Sequence, residues 1–203
     1  MRLSPLLFFW IVALLAPASA NPLKAPTVQY IADVEITRDS DHSYKVPARY
    51  VYAGRRMRIE FVGIVKLVDL DLQQSLPMIP RVRTYWAPEA ISRSAKDSRR
   101  WVGVEATTAV AVGTDTLLGR PVTKYMVRGS IFEENTPFEG FVWTTAENIV
   151  LQVDGTGKAN GVTAPIVVTP VQLVIGPVDG SLLTVPNTFV RAGYGDVGWR
   201  RYD

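Results

Sequence analysis

The chain has 203 residues, with 22 basic and 19 acidic side chains, one histidine and no cysteine. The lack of cysteine excludes a thiol nucleophile, a thiolate metal site, internal disulfides and a lipid-modified N-terminal cysteine. The charges are nearly balanced and scattered in both signs, which excludes a dedicated nucleic-acid surface.

The chain opens on a decamer of apolar residues, 6–15, which follows Arg2 and precedes Ala18-Ser19-Ala20. Ten apolar residues match a secretory h-region and fall short of the ~20 needed to span a bilayer, and small residues at Ala18 and Ala20 suit signal peptidase. Residues 1–20 therefore read as a signal peptide cleaved after Ala20, so the expected location is the periplasm. No later apolar run approaches spanning length, so no membrane span is expected in the mature chain. Removing Arg2 with the signal leaves 21 basic against 19 acidic residues. The remaining length suits one domain, assigned to residues 21–190, with 191–203 as a C-terminal tail.

Alternation with period two dominates the mature chain. Val28, Tyr30, Ala32, Val34 and Ile36 share one face of a strand, against Gln29, Asp33, Glu35 and Thr37 on the other, with Ile31 as the exception. A polar turn over 38–43 leads into a second strand, marked by Tyr44, Val46, Ala48, Tyr50 and Tyr52. Gly54 then turns the chain into a return strand carrying Met57, Ile59 and Phe61. Pro47 places the second strand at an edge or a bulge. A third strand of the meander spans 64–72, with a turn at Gln73-Gln74-Ser75, and the chain stays extended through Pro77 and Pro80 to Tyr85-Trp86. One segment, 88–100, has a helical signature, with Pro88 and Glu89 early and Arg99-Arg100 late; its apolar face of Ala87, Ile91 and Ala95 is thin. Strands resume over 102–112, 122–132, 138–145, 149–153 and 166–175, with turns at Gly113 and Gly119. Residues 154–161, rich in glycine and small polar side chains, read as a loop. This pattern gives a mainly β fold, a curled antiparallel sheet with one or two short helices.

Motifs that carry chemistry are weak. Gly193-Tyr-Gly195-Asp-Val-Gly198 spells a dinucleotide fingerprint, but too few residues come after it for the helix of a βαβ unit. His42 sits in a polar turn between Asp41 and Ser43. Asp69 and Asp71 share a strand face, which suits a solvated surface better than acid–base work, and the calcium-loop pattern is absent. A hydrolase built on His42 or on Asp69 and Asp71 is the poorest reading, so no catalytic residue, metal ligand or cofactor is assigned. Aromatic side chains carry more information. Tyr30, Tyr50, Tyr52, Phe61, Tyr85, Trp86, Phe141 and Trp143 lie on or beside strands, and with Val34 and Ile59 they line either a filled core or an apolar cavity in the curled sheet.

From about residue 44 to 190 the chain resembles the outer-membrane lipoprotein-sorting superfamily, the LolA/LolB-like half-barrels, and especially its small exported branch. Tyr50-Val-Tyr52-Ala-Gly54-Arg-Arg-Met57-Arg58-Ile59-Glu60 resembles that family's first hairpin. Leu67-Val-Asp69-Leu70 through Leu76-Pro-Met78 to Tyr85 resembles the strands after it. Residues 113–125, from Gly113 through Gly119 to Lys124-Tyr125, resemble its next strand pair, and Gly140-Phe-Val-Trp143 with Ile149 its next hairpin. Gly176-Pro-Val-Asp-Gly-Ser181-Leu-Leu-Thr-Val-Pro186 resembles the closing signature, with Leu183 where phenylalanine is usual. The resemblance implies an incomplete β-barrel around an apolar cavity, and a non-enzymatic binding protein for a lipid, a lipidated protein or another apolar ligand. The lipoprotein acyl chain and an envelope protein are then the expected partners. A structural or interaction module with a filled barrel is the alternative. Protein recovered from the periplasm should have an intact mass that begins at Asn21; a mass retaining residues 1–20 would refute the export reading.

Overall fold

The computed structural model describes residues 23–37, 45–72, 74–90, 105–130, 137–159 and 162–192. The expected signal peptide at 1–20, His42, Tyr44 and the glycine motif at 193–198 lie outside these residues. Among the described residues thirteen strands form one sheet: β1 (Tyr30–Thr37), β2 (Lys45–Ala53), β3 (Arg56–Phe61), β4 (Ile64–Asp69), β5 (Gln74–Ile79), β6 (Thr84–Tyr85), β7 (Glu89–Ala90), β8 (Glu105–Leu117), β9 (Arg120–Ser130), β10 (Pro137–Thr144), β11 (Val150–Ala159), β12 (Val162–Ile175) and β13 (Val190–Arg191). Their order is β13-β6-β5-β4-β3-β2-β1-β12-β11-β10-β9-β8, with β7 paired to β5. Every pair is antiparallel except β13 with β6.

The order amounts to two up-and-down meanders, β1–β6 and β8–β12, joined where the first strand of one meets the last strand of the other. Within each meander tight turns fix the register. Val62 and Gly63, both at positive φ, close β3 onto β4 with Phe61 opposite Ile64. Leu118 and Gly119 do the same for β8 and β9. Charged pairs on neighbouring strands mark the register of the polar face. Asp33 pairs with Arg49, Arg56 with Asp69 and Arg128 with Glu139, each directly across a strand pair.

One face of the sheet is apolar along nearly its whole width. Buried residues of β1–β4 and β8–β12 form a single cluster, so the sheet curls until this inner face of its two halves meets. Helical content among the described residues is two single 3-10 turns, Pro80–Val82 and Gly180–Leu183. The second lies against β3, where Arg58 donates from Nη1 to the Leu182 carbonyl at 3.2 Å and from Nε to Glu60 at 2.7 Å. It belongs to a strap, residues 176–192, that ends with Val190 and Ala192 donating backbone N–H bonds to Arg83 and Tyr85.

Several sequence expectations are corrected. The helix expected from Pro88 begins instead as β7, with Glu89 and Ala90 opposite Ser75 and Gln74; the rest of that segment lies outside the described residues. The open sheet edge offers Glu89 and Ala90 backbone partners that a helix start with so thin an apolar face cannot match. Gln74 and Ser75 accordingly belong to β5, and the turn falls earlier, where the Asp69 carboxylate accepts the backbone N–H groups of Asp71 and Leu72 at 3.0 Å. Those bonds, that of Leu72 foremost, and the Arg56 pair hold the Asp69 carboxyl below its ordinary range. Gly113 lies within β8 at a bulge rather than a turn. Pro47 is in an interior strand, but β3 ends at Phe61 opposite Ala48, so Pro47 has no partner on that side.

The glycine-rich stretch after Val153 is the largest correction. Instead of a loop, β11 runs on through Gly155 and Gly157. These glycines face Gly140 and Phe138 of β10, and the Phe138 ring lies over Gly155 and Gly140. A Cβ at Gly155 would stand 2.6 Å from Phe138 Cζ, and one at Gly140 would strike the Asp154 carbonyl. The strand is therefore held by an aromatic ring seated where side chains are missing, which composition cannot reveal. Gly155→Ala should lower the stability to urea unfolding by about 1–3 kcal/mol, the usual cost of overpacking; an unchanged midpoint would contradict this packing.

Candidate functional site

The inner face is built in rows across β1–β4. Tyr30, Tyr52, Met57 and Val68 form one row, Ala32, Tyr50, Ile59 and Lys66 the next, and Val34, Ala48, Phe61 and Ile64 the third. The first row is buried throughout. In the second, Lys66 is exposed; in the third, Phe61 is half-buried and Ile64 is 41% exposed. Exposure thus rises along β3 and β4 towards their hairpin, while β1 stays buried through Ile36 and Thr37; this leaves an apolar lip at Phe61 and Ile64, with half-buried Pro77 and Ile79 on β5 beyond it.

The opposite end is plugged. Tyr30 and Tyr52 stack with ring centroids 5.6 Å apart, and the Tyr52 hydroxyl donates to the Pro26 carbonyl at 3.4 Å. Pro26 is itself buried. The backbone N–H of Thr27 donates to the Glu147 carbonyl at 3.0 Å, and Asn148 Nδ2 donates to the Ala25 carbonyl at 3.4 Å. The turn between β10 and β11 and the N-terminal segment therefore fasten each other across that end. Half-buried Leu23 and Val28 pack against the core cluster from the same segment.

Tyr30, Val34, Tyr50, Tyr52, Ile59 and Trp143 belong to the core cluster, with Phe61 and Phe141 packed against it. Trp143 and Phe141 reach it from a different direction. Their register partners, Lys124 and Met126, stand on the face of β9 opposite to Val127, so these two rings do not share the face of Tyr30 and Tyr50. Tyr85 and Trp86 are not brought to the cluster. Tyr85 lies opposite Met78, which lies opposite Val65 on the outer face of β4. Met78 and Val65 are buried there with Val51, on the side of the sheet that the strap crosses. Trp86 comes directly after β6, its backbone N–H donating to the Pro77 carbonyl at 3.1 Å.

Asp69 and Asp71 are committed to structure: besides the turn bonds, Asp69 pairs with Arg56 at 3.3 Å and Asp71 with Arg55 at 2.7 Å. Sequence reasoning missed Ile64 and Ile79 at the lip. Ile64 was legible, because it falls opposite Phe61 once Val62-Gly63 is recognised as the hairpin turn. It also missed Lys124, whose ammonium lies 4.1 Å from the Phe141 ring centroid and 4.7 Å from that of Trp143.

No family model matches the chain, and no curated protein matches it. Among solved structures it is similar to MucB in complex with MucA, in two structures, one of them from Pseudomonas aeruginosa. Identity is 13% and 12%, TM-score 0.39 in both, covering 76% and 77% of this chain and 53% and 56% of those chains. The chain thus spans about half the length of those two. A LolA superfamily protein from Nitrosomonas europaea is also similar, 8% identical with a TM-score of 0.39 over 80% of this chain and 92% of that one. So is an outer-membrane lipoprotein-sorting protein domain from Vibrio parahaemolyticus, 8% identical with a TM-score of 0.35 over 76% and 89%.

Burial lifts the Tyr30 phenol well above its ordinary value, and the neighbouring Tyr50 and Tyr52 phenols add to the rise. The neutral form is thus favoured in the fold. Stability from this group is fully present below about pH 10, where the unfolded phenol begins to ionise, and falls as pH climbs from there towards the folded value. Urea midpoints of the wild type should drop above pH 10, and Tyr30→Phe should flatten that drop; an equal drop in the variant would contradict the assignment.

Proposed function

We propose that this chain is a non-enzymatic binding protein of the periplasm that takes a lipid, the acyl chain of a lipoprotein or another apolar ligand at the inner face of its curled sheet. The observation that carries this reading is the apolar surface left uncovered on β3 and β4 beside a buried inner face. A sheet that served packing alone would cover this face on every strand, whereas here it is plugged at Pro26, stays covered on β1 through Ile36, and opens on β3 and β4 at Phe61 and Ile64. An acyl chain entering at the lip would lie against Phe61, Ile64 and Ile79 and extend the existing apolar surface. Each methylene buried contributes roughly 0.8 kcal/mol, so a short run of them offsets the cost of ordering the chain.

A second reading, an envelope interaction module with a filled interior, is favoured by one observation. Tyr30, Ile36, Met57, Ile149 and Leu151 are fully buried by the protein's own side chains. The two readings differ at the lip. In a Phe61→Trp variant, a brominated fatty acid should quench the new indole saturably, and native mass spectrometry of protein from cells should show bound lipid. Ile64→Glu should weaken the binding about tenfold or more, through the cost of desolvating a carboxylate, with little change in thermal midpoint because the residue is largely exposed. Non-saturable quenching without co-purified lipid would favour the filled module.

A further inference from the structure

The outer face of β8–β10 carries an arrangement that the inner-face reading does not use. Lys124 lies directly across from Trp143 on β10 and from Gly113 on β8. Its ammonium rests over both the Phe141 and the Trp143 rings. Among the described residues Lys124 makes no ion pair with a carboxylate. Asp154, opposite Phe141, is exposed and does not pair with it. The Trp143 indole Nε1, in a side chain 5% exposed, has no hydrogen-bond acceptor among the described residues. Two donors thus stand on adjacent strands, the indole N–H buried beneath the lysine, and no described residue supplies an acceptor to either.

The surroundings are apolar. Met126, which faces Phe141, is 41% exposed, and Val112, the extra residue of the bulge beside Gly113, is 48% exposed. Gly113 leaves open space next to Lys124, since a Cβ there would meet nothing within 4 Å. Such a surface complements a carboxylate set between apolar groups: the aromatic rings hold the cation in place by its attraction to their π faces, and the anion gains a charge-assisted hydrogen bond. The neighbouring β8 pairs only with β9 among the described residues, so its outer backbone groups lie beside the shelf. An extended polypeptide can use that edge together with the shelf; a fatty acid has no backbone to match it.

We infer that the Lys124 shelf docks an acidic, apolar segment of a partner protein. The surface lies on the opposite side of the sheet from the lip at Phe61, so this inference and the inner-face reading fail separately.

The test monitors the Trp143 indole N–H by nitrogen-15 nuclear magnetic resonance, with the resonance assigned by its loss in Trp143→Phe. The probe is the peptide acetyl-Val-Glu-Val-amide, compared with its glutamine counterpart and with octanoate. A saturable shift with the glutamate peptide is expected, about tenfold weaker with the glutamine peptide. Lys124→Met should abolish the difference between the peptides and Lys124→Arg should keep it. An equal response to both peptides in the wild type, or no saturable response, overturns the proposal without reliance on any variant. Tighter saturation by octanoate overturns it in favour of a fatty-acid site.

Discussion

The pairing of β1 with β12 is the constraint on which the rest depends. Every other antiparallel pair in the main path of the sheet joins strands that are consecutive along the chain. This pair joins residues at least 130 positions apart, from Tyr30 opposite Ile175 to Thr37 opposite Val167. Bringing those strands together costs loop-closure entropy that local hairpins avoid, and it is repaid when the two inner faces meet. Tyr30, Val34 and Ile36 from one meander then bury against Ile166 and Val168 from the other. The seam also carries a bulge between Asp33 and Val34 against the β12 strand, and bulges increase local twist. Curl and core therefore have a common origin.

Once the seam is formed, the ends of the curl become unlike. At the Tyr30 end, the carbonyls of Ala25 and Pro26 and the amide of Thr27 all find partners, from Asn148, Tyr52 and Glu147, so polar backbone can lie over an apolar core. At the Phe61 end β3 and β4 stop at a hairpin whose tip, Val62, is exposed and held at a positive φ of 50°. A β-branched residue is uncommon in that conformation. Large apolar side chains at a strained tip contribute little to packing, so the lip is shaped by the hairpin rather than by the core.

Much of the fold was legible in the sequence because alternation is a direct record of which side chains face inward. Tyr30, Ala32, Val34 and Ile36 gave β1 with its buried face, and the Gly54 turn gave the register that sets Tyr50 opposite Ile59. Legibility failed where the deciding contact is distant in the chain. The glycines at 155 and 157 look like a loop until β10 is paired beside them and the Phe138 ring is placed over Gly155. Glu89 looks like a helix start until the edge of β5 is beside it. For the candidate site, the tyrosines of β1 and β2 were accessible from period two. Tyr85, Phe141 and Trp143 were not assigned to a face correctly by aromatic content alone, because which side of a sheet is inner depends on the curl. The resemblance to half-barrels rested on turn and core residues, and it anticipated the curl rather than the chemistry.

The sheet order has a further implication when the chain is imagined as a ring. Starting from β8, the strands run β9, β10, β11, β12, then β1 to β6, so each is beside the next. The chain order is broken at the middle of this series, between β12 and β1, where Gly176 N–H already donates to the Gln29 carbonyl at 3.0 Å, as in a hairpin lacking its turn. The molecule is, in this sense, a circular permutant of a simple continuous meander. The long-range seam of β1 with β12 arises from where this order is broken rather than from the architecture. A polypeptide opened between the two meanders and joined by a short turn from Gly176 to Gln29 would build the same inner sheet from sequence-local pairs. It would have a lower contact order, and faster folding is the expected consequence.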